Sequence, residues 1–295
     1  METFVLLTIT GLGLGAMYFL IASGLSLIYG LMGVLNFAHG SFLTLGAYGA
    51  WWFDRYVDGI GSLTVRFLID TLVGLAIGAA VAALVELVLI RPLYQRHIEQ
   101  VLVTVGLTLV ITALVQGTWG PEVRLFPTPE WMVDTTSVLG ASIPNDRFVE
   151  IGAAVVVLLG LQLFLRRTRY GLIVRAGVEN RAMVTALGID VRRAFTLVFA
   201  IGGVAAALAG VLSAVYFGGI DPTRGTSLLI FAFIVVVIGG LGSIEGSAAA
   251  AVIVGLTQQY ANYYASSGTG DLAVVLLLAL TLLVKPGGLA PKVAH

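Results

Sequence analysis

The chain has 295 residues, 58% of them hydrophobic and only 11% charged, with a mean hydropathy of +1.00. A soluble domain of this length needs far more charge to cover its surface, so the composition specifies a polytopic membrane protein. Acidic and basic residues cancel at sixteen each, and the lack of cysteine excludes disulfides, thiol catalysis and cysteine-ligated zinc or iron–sulfur centres.

Apolar runs fall at 4–29, 31–53, 67–90, 101–119, 148–165, 194–217, 228–241, 247–264 and 271–284. Several approach the ~18 apolar residues that cross a hydrocarbon core. The second, seventh and ninth are short or broken by glycine. The expected fold is all-α, a single transmembrane domain over 1–295 with about eight to ten crossings, some of them Gly-rich and broken. The first run opens on METFVLLTIT without a basic n-region, so it reads as a membrane segment rather than a cleaved signal peptide. It carries a small-xxx-small pair at Gly11 and Gly15, as the sixth run does at Gly203/Ala207 and Ala206/Gly210; such spacing lets helix backbones approach closely.

The second run, GLMGVLNFAHGSFLTLGAYGA (30–50), is unusual. Asn36 and His39 need hydrogen-bond partners that lipid does not supply, and glycines at 30, 33, 40 and 46 surround them. Polar groups and broken backbone at membrane depth are tolerated where they are buried in protein or line a cavity. A second such break is suggested near the C-terminus, where aligning HGS (39–41) with EGS (245–247) also superposes Gly33 on Gly239. Asn36, His39, Ser41 and Glu245 are therefore the pathway or gate candidates. Two readings stay open for Asn36 and His39: direct contact with substrate, or fastening of helix ends at a gate, which is favoured.

The connector 91–100 holds Arg91 and Arg96, and Glu86, five residues before Arg91, is expected to be neutralised by a neighbouring arginine. TVGL at 104–107 lacks the Tyr-Gly of a potassium filter. Segment 120–147 has four acids against Arg124 and Arg147, and four prolines; it reads as an outer loop, either a docking surface or a solvated connection. Segment 166–193 has seven arginines against Glu179 and Asp190, which marks it as cytoplasmic, and Lys285 and Lys292 put the C-terminus on the same side. Within it, Leu172 to Leu187 has helical spacing: Arg175 and Glu179 pair at i, i+4, Ala176, Met183 and Leu187 share a side, and Gly188 offers a stop. This is either a surface helix at the headgroups or a coupling helix that docks on a cytoplasmic motor.

Lysine occurs only at 285 and 292, so no phosphate-binding loop exists in this chain, and the three histidines show no metal-ligand spacing. Glu86 is the one acid read inside the spans, too few for an intramembrane enzyme and weak support for an ion-coupled carrier.

Four stretches carry a resemblance: LIYGLMGVLNFAHGSFLTLGAY, RPLYQRHIEQVLVTVGLTLV with WGPE, RAGVENRAMVTALGID, and IVVVIGGLGSIEGSAAAAVIVGL. Together, in this order, they resemble the branched-chain amino acid permeases of ATP-binding-cassette importers, in particular the first of the two paired permease subunits. The resemblance implies a second related permease, two cytoplasmic ATPases that hold the ATP and magnesium, and an extracytoplasmic substrate-binding protein, in a bacterial inner membrane. It makes 166–193 the coupling connector, with Arg175, Glu179, Asn180, Arg181, Ala186 and Gly188 on its motif. No cofactor or metal is implied for this chain, and no nucleic acid. The substrate stays open among branched-chain amino acids, urea, amides and aromatic acids. The alternative is a self-sufficient channel or secondary carrier for a small neutral solute such as urea.

Overall fold

The computed structural model describes residues 1–56, 61–179, 183–184 and 190–290, with 177–179 described by their backbone. Nine apolar helices stand where the nine apolar runs lie. They are α1 (Glu2–Met32), α2 (His39–Asp54), α3 (Leu63–Val85), α4 (His97–Trp119), α6 (Asn145–Arg167), α8 (Val191–Tyr216), α9 (Arg224–Gly239), α10 (Ile244–Tyr264) and α11 (Thr269–Val284). Among the described residues two further helices can be delimited, the single turn α5 (Glu130–Val133) and the connector helix α7 (Arg169–Glu179). Helix α3 continues through a π-helical turn, Glu86–Ile90, and a 3-10 turn, Arg91–Leu93.

Five segments are long and apolar enough to cross a bilayer alone: α1, α3 with its extension, α4, α6 and α8. Helices α9 and α10 meet at a 117° bend and are long and apolar enough only when taken together, as a broken span or a re-entrant loop is. With 16 residues each, α2, α9 and α11 reach only about 24 Å, short of a ~30 Å core.

The core is built on α1 and α8, the two most enclosed spans. Helix α1 packs against α6, α8, α9 and α10, and α8 also packs against α2 and α3. The small residues of the sequence sit at these crossings. A Cβ placed on Gly255 of α10 would lie 2.4 Å from the Gly11 carbonyl oxygen, and one on Gly203 of α8 would lie 2.3 Å from the Gly78 carbonyl oxygen of α3. With no hydrophobic force between helices in lipid, such backbone approach is what gives dispersion its purchase. The outward faces of α4, α6 and α11 expose Leu109, Val156 and Leu283, as a surface bathed in acyl chains requires.

Segment 120–147, the expected outer loop, has secondary structure of its own. It contains α5 and an antiparallel hairpin, β1 (Thr135–Val138) with β2 (Ala141–Pro144). Leu139 (φ 51°) and Gly140 (φ 88°) form its two-residue turn, the positive-φ pair that matches strand twist. The segment is tied down: Arg124 and Ile220 exchange backbone hydrogen bonds of 2.8 and 2.9 Å, and Trp51 Nε1 donates to the Leu125 carbonyl at 3.1 Å. The hairpin marks one end of the bundle, and the arginine-rich connector marks the other.

Candidate functional site

Helix α1 stops because Gly33 adopts φ 66°, a left-handed cap, with its N–H donating to the Tyr29 carbonyl. Residues 34–38 are non-helical, and α2 then starts at His39. The start is deep. His39 Nε2 lies 3.2 Å from the Ile21 carbonyl, eleven residues back from the end of α1, or roughly 16 Å along that helix. A carbonyl only accepts, so the ring proton is on Nε2 and Nδ1 is a bare acceptor. The ring packs edge-on to Phe42 at 5.8 Å and is fully buried. Gly24 permits this: a Cβ there would meet His39 Cε1 at 2.8 Å.

Broken backbone at this depth needs partners other than water. Helix α4 supplies two. The Phe37 N–H donates to Thr104 Oγ1 at 3.3 Å, and the Thr108 hydroxyl reaches the Phe37 carbonyl at 3.1 Å. Asn36 supplies a third, its Oδ1 accepting from the Ala38 N–H at 3.1 Å. Gln100, whose Nε2 donates to the Leu93 carbonyl at 2.6 Å, Thr104 and Thr108 form a buried i, i+4, i+8 polar stripe on this membrane helix. Sequence reasoning passed over this stripe; its spacing was the available signal.

Beside the break lies a cavity of about 480 Å³, bounded by α1, residues 35–37, α4, α9 and α11. Its walls are apolar, with Phe37, Val105, Leu109, Ile230, Phe233 and Val275 prominent; Asn36, Thr108 and Thr226 are the polar residues on the lining. Phe37 and Phe233 stack with centroids 5.9 Å apart.

The four pathway candidates separate. Asn36 is buried and lines the cavity, while His39 and Ser41 are buried at the start of α2 and are not on the lining. Asn36 Nδ2, His39 Nδ1 and Ser41 Oγ have no hydrogen-bond partner among the described residues. Glu245 stands apart, its side chain 63% exposed at the connector end, paired with Arg166 at 2.8 Å and accepting from Gln162 at 3.1 Å. The arginine expected beside Glu86 is Arg91, which donates Nε and Nη2 to the two carboxylate oxygens at 3.2 and 3.1 Å. The hydroxyls of Thr196, at 2.7 Å, and Tyr94 complete the set. The structure also buries acids that the sequence reading did not count, among them Asp70 in α3 and Glu150 in α6.

Of the connector residues, Arg175 is exposed on α7, whose Val174 is fully buried, and Glu179 ends the helix. Asn180, Arg181, Ala186 and Gly188 lie outside the described residues. Val184 packs with Val191 and Phe195, and Met32, Tyr94 and Ala176 close over them, so the connector rests on the last residue of α1 before the break.

The family model for the permease component of branched-chain amino acid transport systems matches residues 7–285. The high-affinity branched-chain amino acid permease LivH of Escherichia coli K12 is 32% identical over 95% of this chain and 92% of its own length. The corresponding permease BraD of Pseudomonas aeruginosa is 29% identical over 95% and 94%. The fructose import permease FruF of Bifidobacterium longum is 31% identical over 85% and 69%. No solved structure matches the chain.

Proposed function

This chain belongs to the family of branched-chain amino acid transport permease components, and on that premise we propose that it forms half of the translocation pathway of an ATP-driven importer for amino acids with aliphatic side chains. It is a multi-pass membrane transport subunit, and its own residues carry no catalytic role. The observation that carries the reading is the apolar cavity of about 480 Å³ set against non-helical backbone inside the membrane. Relatives include a fructose permease, but a sugar needs several hydrogen-bond partners, and a lining this apolar favours an aliphatic side chain.

Asn36, with His39 and Ser41 behind it, forms the gate region, and Glu245 acts with Arg166 at the connector end. Residues 166–193 are the coupling connector. The exposed Arg175, with Glu179, Asn180, Arg181, Ala186 and Gly188, meets one of two cytoplasmic ATPases, which hold ATP and magnesium. The seating of Val184 against Met32 supports this, because force on the connector then reaches the end of α1 directly. A second, related permease completes the pathway, and a substrate-binding protein docks on the hairpin end, 120–147. The complex sits in the bacterial cytoplasmic membrane with the connector inside.

The test is tagged purification from native membranes in mild detergent, with partners identified by mass spectrometry, followed by leucine uptake into proteoliposomes. Recovery of a second permease and two ATPases, with ATP-dependent uptake, is expected. A chain recovered alone, folded and monodisperse, that passes solute without ATP would overturn the proposal in favour of a channel or carrier.

A further inference from the structure

Glu86 is a buried acid that the pathway reading leaves unused, and the backbone around it is irregular. It opens the π-helical turn Glu86–Ile90, a rare form that recurs at functional sites. Its side chain is fully buried, and both carboxylate oxygens are taken, by groups from two directions. Arg91 and Tyr94, from the turn between α3 and α4, donate to it. From α8, in its second turn, the Thr196 hydroxyl lies 2.7 Å from Glu86 Oε2 and 2.7 Å from Arg91 Nη2. The carboxylate therefore binds the α3–α4 turn to the helix that leaves the connector. Tyr94 repeats that link with its ring, which packs edge-on to Phe195 of α8 at 5.8 Å, in the cluster on which Val184 of the connector rests.

The same turn holds the foot of α4. The Leu93 carbonyl, one residue before Tyr94, accepts from Gln100 Nε2 at 2.6 Å. From Gln100 the polar stripe climbs roughly 12 Å along α4, through Thr104 to Thr108, and ends on the N–H and carbonyl of Phe37. Helix α4 packs chiefly on α2 and on the two turns that extend α3, and its Leu102 and Leu109 are exposed. A helix held at its foot and at the break, with a lipid-facing flank, is suited to the small sliding motions by which packed helices change state.

We propose that Glu86 is a positioning residue of the transport cycle. It makes the α3–α4 turn move with the connector, so that a second route runs from the connector through α4 to the break. The route through Met32 ends on α1, whereas this one ends on Phe37, which lines the cavity. The inference rests on the importer reading above and deepens it.

The experiment uses the complete importer in proteoliposomes with its binding protein, leucine and ATP, and reads initial uptake and ATP hydrolysis together. Thr196→Val keeps the shape and cuts the bond between α8 and Glu86, and Thr108→Val cuts the far end at Phe37. Each is expected to slow uptake about fivefold, the size expected from one net hydrogen bond. ATP hydrolysis is expected to stay near the wild-type rate, so that more ATP is consumed per leucine. Thr196→Ser, which retains the hydroxyl, is expected to keep the wild-type ratio. The two sites share no hydrogen-bond partner, so independent effects would multiply to about twenty-five-fold in the double variant. Because both substitutions cut one route, the double variant is expected to stay near fivefold. A multiplied loss, or a wild-type ratio of ATP to leucine in both single variants, overturns the route. If Thr196→Val does not assemble, Tyr94→Phe, which loses the hydroxyl on Glu86 and keeps the ring on Phe195, replaces it in the cycle. Wild-type complex without ATP-dependent uptake overturns the importer reading as well, whereas wild-type uptake with a multiplied loss in the double variant removes the route only.

Discussion

The molecule contains two helix–break–helix units with nearly the same sequence at the restart, HGS at 39–41 and EGS at 245–247, and they have different surroundings. In the first, His39 is fully buried against the middle of α1 and Ser41 Oγ is unpartnered. In the second, Glu245 is exposed and ion-paired, and Ser247 shares a 2.6 Å hydrogen bond with Ser26 of α1. The first break is six residues long and borders a cavity. The second is four residues long and closed upon itself and upon α1: a Cβ on Gly246 would lie 2.0 Å from the Gly239 carbonyl oxygen, and one on Gly242 would lie 2.6 Å from Gly30 Cα. A break can thus be a tightly packed corner or an interruption that borders a cavity, and glycine content does not distinguish the two. What distinguishes them is whether the backbone of the break is covered by other backbone or reached by side chains across a space.

The largest test of this contrast compares Gly242→Ala with Gly33→Ala. Both glycines have positive φ, 85° and 66°, so both variants carry left-handed strain of about 1 kcal/mol. Gly33 has open space around it, whereas Gly242 abuts Gly30 backbone. Thermal unfolding of the purified complex is expected to show a loss of about 3 kcal/mol or more for Gly242→Ala and only the strain for Gly33→Ala; equal losses would break the comparison.

Next come the residues that the motif aligns. His39→Leu removes a buried hydrogen bond and replaces a flat ring wedged beside Gly24, for an expected loss of about 2 kcal/mol with reduced leucine uptake. Glu245→Gln weakens an exposed pair and is expected to stay within ~1 kcal/mol, with the difference shrinking further in high salt. If the salt-sensitive effect belonged to His39, or the larger one to Glu245, the burial assigned to the two residues would be wrong.

A smaller effect is expected from Thr108→Val, which keeps the shape and leaves the Phe37 carbonyl unpaired at membrane depth. It should cost about 1 kcal/mol and slow uptake, and the same readouts on Thr104→Val probe the other bond to Phe37. The serine pair ends the series. Ser247→Ala breaks the bond to Ser26 and should cost about 1 kcal/mol, while Ser41→Ala removes a hydroxyl without a partner and should leave unfolding unchanged or slightly raised.

Much of this was legible in the chain, because lipid leaves few options. Runs of apolar residues have to become helices that satisfy their own backbone, and all nine did, the three short helices standing at the runs that are short or broken by glycine. The neighbouring arginine of Glu86 was also legible, since five residues separate it from Arg91 and an unpaired acid near the membrane is costly. The hairpin at 135–144 was not. The segment 120–147 that contains it read as an outer loop, and the hairpin's turn uses a leucine at positive φ, which no local preference announces.

The sequence by itself determined the number and order of apolar helices, the position of both breaks, and the arginine-rich connector, since each depends on composition within one short stretch. Only the tertiary structure decided what each break is for. The depth of His39 depends on Ile21 and Gly24, the satisfaction of Phe37 on Thr104 and Thr108, and the exposure of Glu245 on Arg166 and Gln162. Those partners stand between fifteen and eighty-three residues away. A donor or acceptor in lipid is satisfied by whatever the fold brings to it, and spacing along the chain does not carry that information.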